Sequence, residues 1–390
     1  MVRRRVLVDG YFLGKPYGFG RFILELCRAL GSRASDLELI VAVPSRIKIE
    51  SLPAYHYLTW HTVPDANFML WEQVMVPRLA HKLGCGVIHF PYNTKAVFTG
   101  RVRTVVTVHD LIFLTEVVRL QPLKAWLGSQ YSKCIFKLAT GGSSVIVSVS
   151  DTTRRALALL GMQATTVYNT VDGLLAVLPE IREVPNKRYI LHRGGHQSHR
   201  NTERVIHSFL RIRPKIPDVE LRIVGVPDGA KRWGTRDDQS IRYLPRLTDA
   251  ELAACYADSA CVVAVSLKEG FGLPIIEGFG FGTPVITSKL DPMREVAGGA
   301  ALLVDPFSLD SIGDAIVSLV HDGPLAQSLV EKGFARLAAF RSECVAEQML
   351  QIYSSALGDP NGRGRPTTNQ RKKTDTYSRR SQGRGPLGRG

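Results

Sequence analysis

The chain alternates between two kinds of segment along most of its length. Short runs rich in β-branched residues are typical of buried strands, and longer stretches whose apolar residues recur every three to four positions are typical of helices. One series of this alternation runs from Val6 to Leu160, and a second runs from Arg188 to Val304. Strands that alternate with helices form parallel sheets, so the pattern predicts an α/β protein with two parallel-sheet domains.

The length of 390 residues agrees with two domains, since one domain typically holds about 150 residues. The last periodic stretch, with apolar residues spaced for one helix face, predicts a terminal amphipathic helix. Beyond it the chain is rich in Gly, Pro, Arg, Ser and Thr and is expected to be disordered. The predicted divisions are an N-terminal domain (1–175), a C-terminal domain (176–340), a terminal helix that returns to the N-terminal domain (341–358) and a disordered basic tail (359–390).

The formal net charge of +15 is unevenly distributed. Residues 1–180 carry +8, residues 181–358 are neutral and residues 359–390 carry +7. Basic surfaces attract nucleic acids, anionic membranes or phosphorylated acceptors. For the first half, a solvated basic surface without a partner is an equally good interpretation.

The six cysteines are scattered, without a Cys-x-x-Cys pair or a histidine at zinc-ligand spacing. They are therefore predicted to be buried thiols in a reducing compartment. The apolar run near the N-terminus is too short for a signal peptide, and no uncharged stretch is long enough to span a bilayer. A cytoplasmic location is expected.

The strongest local signal is a glycine-rich turn that follows a predicted strand and leads into a predicted helix. Gly270 and Gly272 let the backbone approach a ligand closely, and Pro274 suits the first turn of a helix. Free amides and the positive end of the helix would face the turn, which makes it a site for phosphate or sugar hydroxyls. Glu269 precedes the glycines, and Glu277 lies inside the helix.

This segment resembles the donor-site signature of the retaining GT-B glycosyltransferases of family 4. The resemblance implies two Rossmann-like domains with parallel sheets facing across a cleft. It also implies that Glu269 binds the transferred sugar and Glu277 the nucleotide ribose, while the amides of Phe271, Gly272 and Leu273 cradle the sugar and diphosphate. Replacing Glu277 with Ala is then expected to weaken donor binding and leave folding intact.

Two further segments carry the resemblance. Gly18 and Gly20 are similar to the glycine-rich loop ahead of the first helix of the acceptor domain, although a plain turn would have the same sequence. His109 and Asp110 resemble the family's His-Asp element, whose histidine approaches the donor sugar near the reacting carbon. A histidine at a strand end is also often structural. His109 and Glu269 are the predicted catalytic residues.

The segment from Gly194 to Arg200 resembles the part of the family's donor site where an arginine and a lysine neutralise the diphosphate. Here Gly195 stands at the arginine position and Arg200 at the lysine position. Arg200 can bind a phosphate as a lysine would, and its guanidinium can donate two parallel hydrogen bonds to it. Compensation for the missing cation falls to Arg193, Lys268 or backbone amides.

The resemblance covers nearly all of residues 6–357 and implies an N-terminal acceptor-binding domain and a C-terminal donor-binding domain. The implied activity is a retaining hexosyltransferase in surface polysaccharide biosynthesis that acts on a glycan or lipid-linked acceptor. GDP-mannose is the first candidate donor, and a UDP- or dTDP-sugar is the second. The sequence contains no Asp-x-Asp motif to hold Mg²⁺ or Mn²⁺ on a diphosphate, so no metal and no further cofactor are expected.

Alternatives remain at this point. A nucleotide-sugar epimerase of GT-B fold would use the same donor site without an acceptor. A basic scaffold would bind RNA or membrane through its tail, although no specific nucleic acid is expected as a partner. The stretch from Lys124 to Lys137 predicts either an interfacial helix on an anionic inner membrane face or a core helix with extended lysines.

Overall fold

The structure is a computed structural model of the chain and describes residues 4–14, 18–31, 33, 37–115, 123–139, 144–177 and 189–358. The tail predicted to be disordered, residues 359–390, lies outside the described residues. Met1–Leu357 form one compact unit.

The described residues form two sheets in which the paired strands are parallel, as predicted. The strands of the first sheet are β1 Arg4–Asp9, β2 Leu37–Pro44, β3 Leu58–Val63, β4 Val87–Phe90, β5 Arg103–Val108, β6 Val145–Ser148 and β7 Ala164–Thr166. Those of the second are β8 Tyr189–Arg193, β9 Glu220–Val224, β10 Ile241–Leu244, β11 Cys261–Ala264, β12 Val285–Ser288 and β13 Leu302–Val304. Their spatial orders are β3-β2-β1-β4-β5-β6-β7 and β10-β9-β8-β11-β12-β13.

Helices connect the strands on both faces of each sheet. Those before β8 are α1 Gly18–Gly31, α2 Phe68–Leu70, α3 Val76–Lys82, α4 Ile112–Thr115, α5 Leu123–Ala139, α6 Asp151–Leu159 and α7 Asp172–Leu175. Those after it are α8 Thr202–Ile212, α9 Gly229–Arg232, α10 Asp249–Ala257, α11 Leu273–Gly280, α12 Met293–Ala297, α13 Leu309–His321, α14 Gly323–Leu337 and α15 Ser342–Leu357. A π-helical turn, Trp71–Met75, joins α2 to α3, and short 3₁₀ turns lie at Ile49–Ser51, Ser198–Arg200, Arg213–Lys215 and Ala338–Phe340.

Strand β1 is buried on both faces, which explains its unbroken apolar run. Alternate side chains of a strand point to opposite faces of the sheet. Val6 and Val8 therefore join the core on the side of α1 and α15, whereas Leu7 joins the core that contains Trp71.

Helix α15 packs into the core of the first sheet, although it follows the second sheet in the sequence. Its predicted apolar positions are all buried there: Val345, Met349, Ile352 and Tyr353. The hydroxyl of Tyr353 lies 2.7 Å from Nδ1 of the buried His89, and Arg103 donates to the carbonyl of Ala356 at 2.9 Å. The last described helix thus belongs to the first half of the fold.

The two connections between the sheets meet at Asp172. Its Oδ2 accepts a 2.7 Å hydrogen bond from the amide of Ser342, where the chain returns to the first sheet. The neighbouring amide of Gly173 donates to the buried carboxylate of Glu25 on α1 at 2.9 Å. The outgoing and returning segments are therefore bonded to each other and to the first half.

The stretch predicted as an interfacial or core helix forms α5. Phe136 is buried, and the hydroxyl of Tyr131 donates to the buried carboxylate of Glu72. One face of this helix therefore packs inward in the part whose side chains are described, residues 128–138.

The prediction that all cysteines are buried is wrong for half of them. Cys134 and Cys344 are exposed and Cys255 is half-buried, whereas Cys27, Cys85 and Cys261 are buried. Cys134 and Cys344 lie on outward positions of α5 and α15, where the small side chain needs no apolar neighbours.

Candidate active site

The glycine loop, residues 266–272, joins β11 to α11 beyond the carboxyl end of the strand. Gly272 precedes the helix with a φ of +105°, a backbone conformation that side chains with a Cβ rarely adopt. Pro274 lies in the first turn of the helix, as predicted. The amides of this turn and the helix dipole favour an anion at the end of the loop.

Glu269 accepts hydrogen bonds from two donors. Its Oε1 accepts from Nη1 of Arg200 at 2.6 Å and from the hydroxyl of Ser266 at 2.9 Å. The side chain of Glu269 is 13% exposed, and that of Arg200 is 34% exposed. The structure therefore brings together the residue predicted to bind the sugar and the residue predicted to bind the diphosphate.

Glu277 has no exposed surface and faces three partners that the sequence did not assign to it. Its Oε2 accepts from Arg193 at 2.6 Å and from the hydroxyl of Tyr256 at 2.5 Å. Arg21 of α1 lies 3.8 Å from its Oε1. Burial alone would raise the pKa of Glu277, but the charges of Arg193 and Arg21, together with the hydrogen bonds from Tyr256 and Arg193, outweigh it and hold the pKa below its usual value. The group is a carboxylate.

This burial changes the expectation for the alanine variant of Glu277. Removing a partner from a buried ion pair leaves the other charge uncompensated, at a cost of about 3–5 kcal/mol. Glu277→Ala would leave Arg193 without its anion, so a change in stability would accompany any loss of binding. Glutamine also removes the charge, but it keeps the shape and an acceptor oxygen for Arg193 and Tyr256, so it is the better substitution when the unfolding midpoint is measured beside binding.

His109 follows β5 and is neutral. Burial lowers the pKa of His109 to about 4. Its Nε2 lies 3.0 Å from the carbonyl oxygen of Pro91, which can only accept, so we assign the proton to Nε2 and leave Nδ1 as an acceptor. The rings of Phe19 and Phe22 contact the imidazole edge-on at 4.8 and 4.7 Å between centroids.

Gly270 packs directly against the backbone of His109. A Cβ at Gly270 would lie 2.0 Å from the carbonyl oxygen of His109, which explains why this position holds a glycine. The hydroxyl of Ser150, after β6, donates to the carbonyl of Gly270 at 2.8 Å. The glycine loop of the second sheet and the predicted His-Asp element of the first are thus in contact.

Gly194 and Gly195 follow β8, but their amides are already bonded. The amide of Gly194 donates to the carbonyl of Val224 at 3.1 Å, and that of Gly195 donates to the hydroxyl of Thr202 at 3.3 Å. A Cβ at Gly194 would lie 2.6 Å from Ile223, so this glycine is needed for packing. The structure gives both residues local roles and places Arg200 at the end of the same segment.

The acceptor-side glycines lie within a helix, which corrects the expected loop. Helix α1 begins at Gly18, so Gly18 and Gly20 belong to its first turn. A Cβ at Gly18 would meet nothing within 4 Å, whereas Gly20 is buried. Asp110 accepts from the amide of Ile112 at 2.9 Å and so fixes the turn after His109.

A chain of rings leads away from His109 across the first half. Phe19 contacts Phe12 at 5.2 Å, and Phe12 contacts Phe68 at 5.5 Å. All three rings are half-buried. Phe12 and Phe19 lie between strands β1 and β2, and Phe68 follows strand β3. Local sequence does not reveal this track of rings, because its members come from three separate segments.

Cavity size does not locate the site. A cavity of about 540 Å³ is lined by residues around Arg213 and Ser240, and one of about 200 Å³ by residues around Leu319 and Val330. Neither is lined by Glu269 or Glu277. Coordinated side-chain chemistry, and not open volume, marks the candidate site.

Among the described residues, no cluster of three or more His, Cys, Asp or Glu side chains is arranged to hold a metal ion. Within the same part of the chain, none of the helices has the length and apolar character needed to cross a bilayer.

Two family models match consecutive parts of the chain. The model described as glycosyltransferase family 4 matches residues 16–173, and the model described as glycosyl transferases group 1 matches residues 178–336. The chain therefore belongs to the group 1 glycosyltransferases and has the GT-B fold of two Rossmann-like domains.

Two curated relatives are mannosyltransferases. The chain is 35% identical over 120 residues to O-antigen chain mannosyltransferase B of Escherichia coli, covering 31% of each protein. It is 28% identical over 221 residues to the phosphatidyl-myo-inositol mannosyltransferase of Mycolicibacterium smegmatis, covering 54% of this chain and 57% of the relative. The matches thus span about a third and somewhat over half of these relatives.

A solved structure confirms the fold over almost the whole chain. Sucrose-phosphate synthase from Thermosynechococcus elongatus superposes with a TM-score of 0.68 at 18% identity. The match covers 90% of this chain and 98% of that one.

Proposed function

We propose that this protein is a retaining, metal-independent hexosyltransferase that uses a nucleotide-sugar donor, with GDP-mannose as the first candidate. The observation that carries the proposal is the pair of carboxylates Glu269 and Glu277, which lie on either side of the N-terminus of α11. Glu269 accepts a hydrogen bond from the guanidinium of Arg200, and Glu277 accepts one from that of Arg193. Family membership and the two mannosyltransferase relatives support the hexose donor.

Arg200 is suited to exchange partners when a donor binds. Its guanidinium is bonded to Glu269. A diphosphate carries more negative charge than one carboxylate and accepts bidentate bonds from arginine. Moving Arg200 to the diphosphate would free Glu269 to accept hydrogen bonds from hydroxyls of the transferred sugar.

The reaction breaks the bond between the anomeric carbon and the departing phosphate oxygen and forms a bond to the acceptor oxygen on the same face. The acceptor's proton passes to the departing phosphate, so no separate base is required. Charge that develops on the leaving group would be stabilised by Arg200 and by the amides at the start of α11. These groups supply positive charge without a metal ion.

His109 would act as a hydrogen-bond acceptor near the sugar. Its pKa of about 4 keeps the imidazole uncharged at neutral pH, so it does not repel the cationic character of an oxocarbenium-like transition state. Nδ1 is the ring nitrogen available to accept from a sugar hydroxyl, because Nε2 is committed to Pro91. Its contact with Gly270 through the backbone keeps it beside the glycine loop.

The acceptor is proposed to be a glycan or a lipid-linked sugar that approaches along the first half. The rings of Phe19 and Phe12 provide apolar surface next to His109. Exposed apolar side chains, Met69, Leu70, Val97 and Phe98, lie on the same half, and Phe98 is 81% exposed. This surface and the positive charge of the first half would suit peripheral contact with the inner face of an anionic membrane from the cytoplasm.

The first test is a thermal-shift screen of the full chain against GDP, UDP, dTDP and ADP and their common sugars, with a chelator present. A ligand that binds only the folded state raises the unfolding midpoint. We expect a shift confined to one nucleotide, and a much smaller shift for Glu277→Gln. Absence of a shift with every nucleotide would refute the proposal and favour a scaffold.

Incubation with the selected nucleotide-sugar then separates a transferase from an epimerase. A transferase releases nucleoside diphosphate in proportion to acceptor, and NMR of the product gives the anomeric configuration. Conversion of the nucleotide-sugar without acceptor would establish the epimerase, and an inverted product would contradict retention.

A further inference from the structure

Two buried polar atoms of an ion pair between the two halves have no hydrogen-bond partners. One is Oε1 of Glu277, and the other is Nε of Arg21 on α1. Nη1 of Arg21 lies 3.8 Å from Oε1, which is beyond hydrogen-bond distance. Buried polar atoms in folded proteins are almost always hydrogen-bonded, so this arrangement calls for a further partner.

The missing partner must both donate and accept. Glu277 is ionised and can only accept, whereas the guanidinium of Arg21 can only donate. A hydroxyl group, on a ligand or as water, satisfies both residues at once, and an oxygen about 2.8 Å from Oε1 of Glu277 and from Nη1 of Arg21 forms a triangle with these two atoms 3.8 Å apart. A carbonyl or a phosphate would leave the carboxylate unpaired, and an ammonium would be repelled by Arg21.

We propose that Arg21 is a donor-binding residue that bonds the same ribose hydroxyl as Glu277, which rests on the nucleotide-sugar donor proposed above. Arg193 cannot take this role, since it is paired with the other oxygen of Glu277. Arg21 is 19% exposed and its second contact is Asp249, 3.3 Å away on α10. A bound ribose is thereby contacted by residues of both halves, so donor binding stabilises the contact between the two halves.

The test compares ribose recognition in the wild-type chain and in Arg21→Gln. Calorimetry measures the Kd of GDP and of 2′,3′-dideoxy-GDP, and the corresponding UDP pair if the screen selects UDP. The wild type should bind the ribonucleotide about tenfold more tightly, since each good hydrogen bond contributes about 1 kcal/mol or more. Arg21→Gln should lose about tenfold for the ribonucleotide and little for the dideoxy analogue. Arg28→Gln, at an exposed position of the same helix, should leave both unchanged.

The outcomes separate this inference from the proposed function. If the wild type binds no nucleoside diphosphate, the proposed function fails and this inference fails with it. If the wild type binds but Arg21→Gln weakens both nucleotides equally, or neither, Arg21 is only an ion-pair partner of Asp249 and Glu277. A lower unfolding midpoint with an unchanged ratio of the two Kd values would be the signature of that structural role.

Discussion

The hydroxyl of Ser150 donates a 2.8 Å hydrogen bond to the carbonyl oxygen of Gly270, and so joins the end of β6 to the glycine loop of the opposite sheet. Ser150 also caps α6 by accepting from the amide of Thr153. One side chain thus fixes a helix start and the approach of the two halves beside His109.

Gly270→Ala should separate the halves at this point. The new Cβ would lie 2.0 Å from the carbonyl oxygen of His109, and a backbone atom cannot move aside as a side chain can. We expect destabilisation of about 1–3 kcal/mol from overpacking and a fall in kcat/KM of at least about tenfold. Urea unfolding and initial rates measure the two effects.

Gly128→Ala is the matched control for that variant. Gly128 is an exposed position of α5, where a Cβ would meet nothing within 4 Å. Alanine should raise the free energy of unfolding by about 0.5–1 kcal/mol and leave activity unchanged. Equal changes in the free energy of unfolding and in kcat/KM for the two variants would contradict the close contact at Gly270.

Arg200→Ala should weaken binding of the nucleoside diphosphate more than that of the monophosphate. The lost charge-assisted bonds contribute about 1.5–3 kcal/mol, which corresponds to about 10- to 100-fold in Kd. Calorimetry with GDP and GMP, or the nucleotide that the screen selects, measures the difference. Arg211→Ala removes only an exposed ion pair with Asp310 and should bind like the wild type. Equal losses for diphosphate and monophosphate would place the diphosphate elsewhere.

Acid should destabilise the fold through its buried histidines. Burial lowers the pKa of His89 to about 3 and that of His192 to about 4, from an ordinary value of 6.5. Between about pH 6.5 and 4 the unfolded chain binds protons that the folded chain excludes, so stability falls as pH falls. His192→Asn can still donate to the carbonyl of Val263, the partner of Nδ1, and does not titrate. The free energy of unfolding of His192→Asn relative to that of the wild type should increase as the pH falls from 7 to 5. A difference between the two proteins in urea unfolding that does not change with pH would contradict this.

Glu72 should make the stability of the fold depend on pH in the opposite direction. Burial raises its pKa to about 7 from 4.5, even though Thr94, Tyr131 and Gln73 donate to it. Between pH 4.5 and 7 the folded chain holds a proton that the unfolded chain has lost, so this group's contribution to stability declines as pH rises. Glu72→Gln stays neutral, and its stability relative to the wild type should grow up to about pH 7 and then level off. A pH-independent difference in urea unfolding would refute the assigned pKa.

Much of the fold could be predicted because buried parallel strands have a strong local signature. Strand β11 is apolar throughout, and the centre of strand β1, Val6 to Val8, is apolar and buried. Strand β3 has no such signature, because it lies at the sheet edge and only Leu58 and Val63, at its two ends, are buried. Edge strands carry little apolar pattern for a sequence to show.

The candidate site was predictable only where its chemistry is local. The glycine loop and Glu277 lie within one short segment, so the spacing identifies them together. Arg21 and Tyr256 reach Glu277 from α1 and α10, and the track of rings from Phe19 draws on three segments. Such contacts depend on how the two sheets pack, which no local spacing reports.

The bond between Asp172 and Ser342 joins the outgoing and returning segments at one place, so a rotation of the second half would have this bond as its pivot. The pivot is close to the candidate site, because Tyr168, just before Asp172 in the chain, contacts Phe271 of the glycine loop at 5.9 Å between ring centroids. A rotation there would therefore shift the glycine loop little, and it would shift the parts of the second half that lie farther from the pivot more.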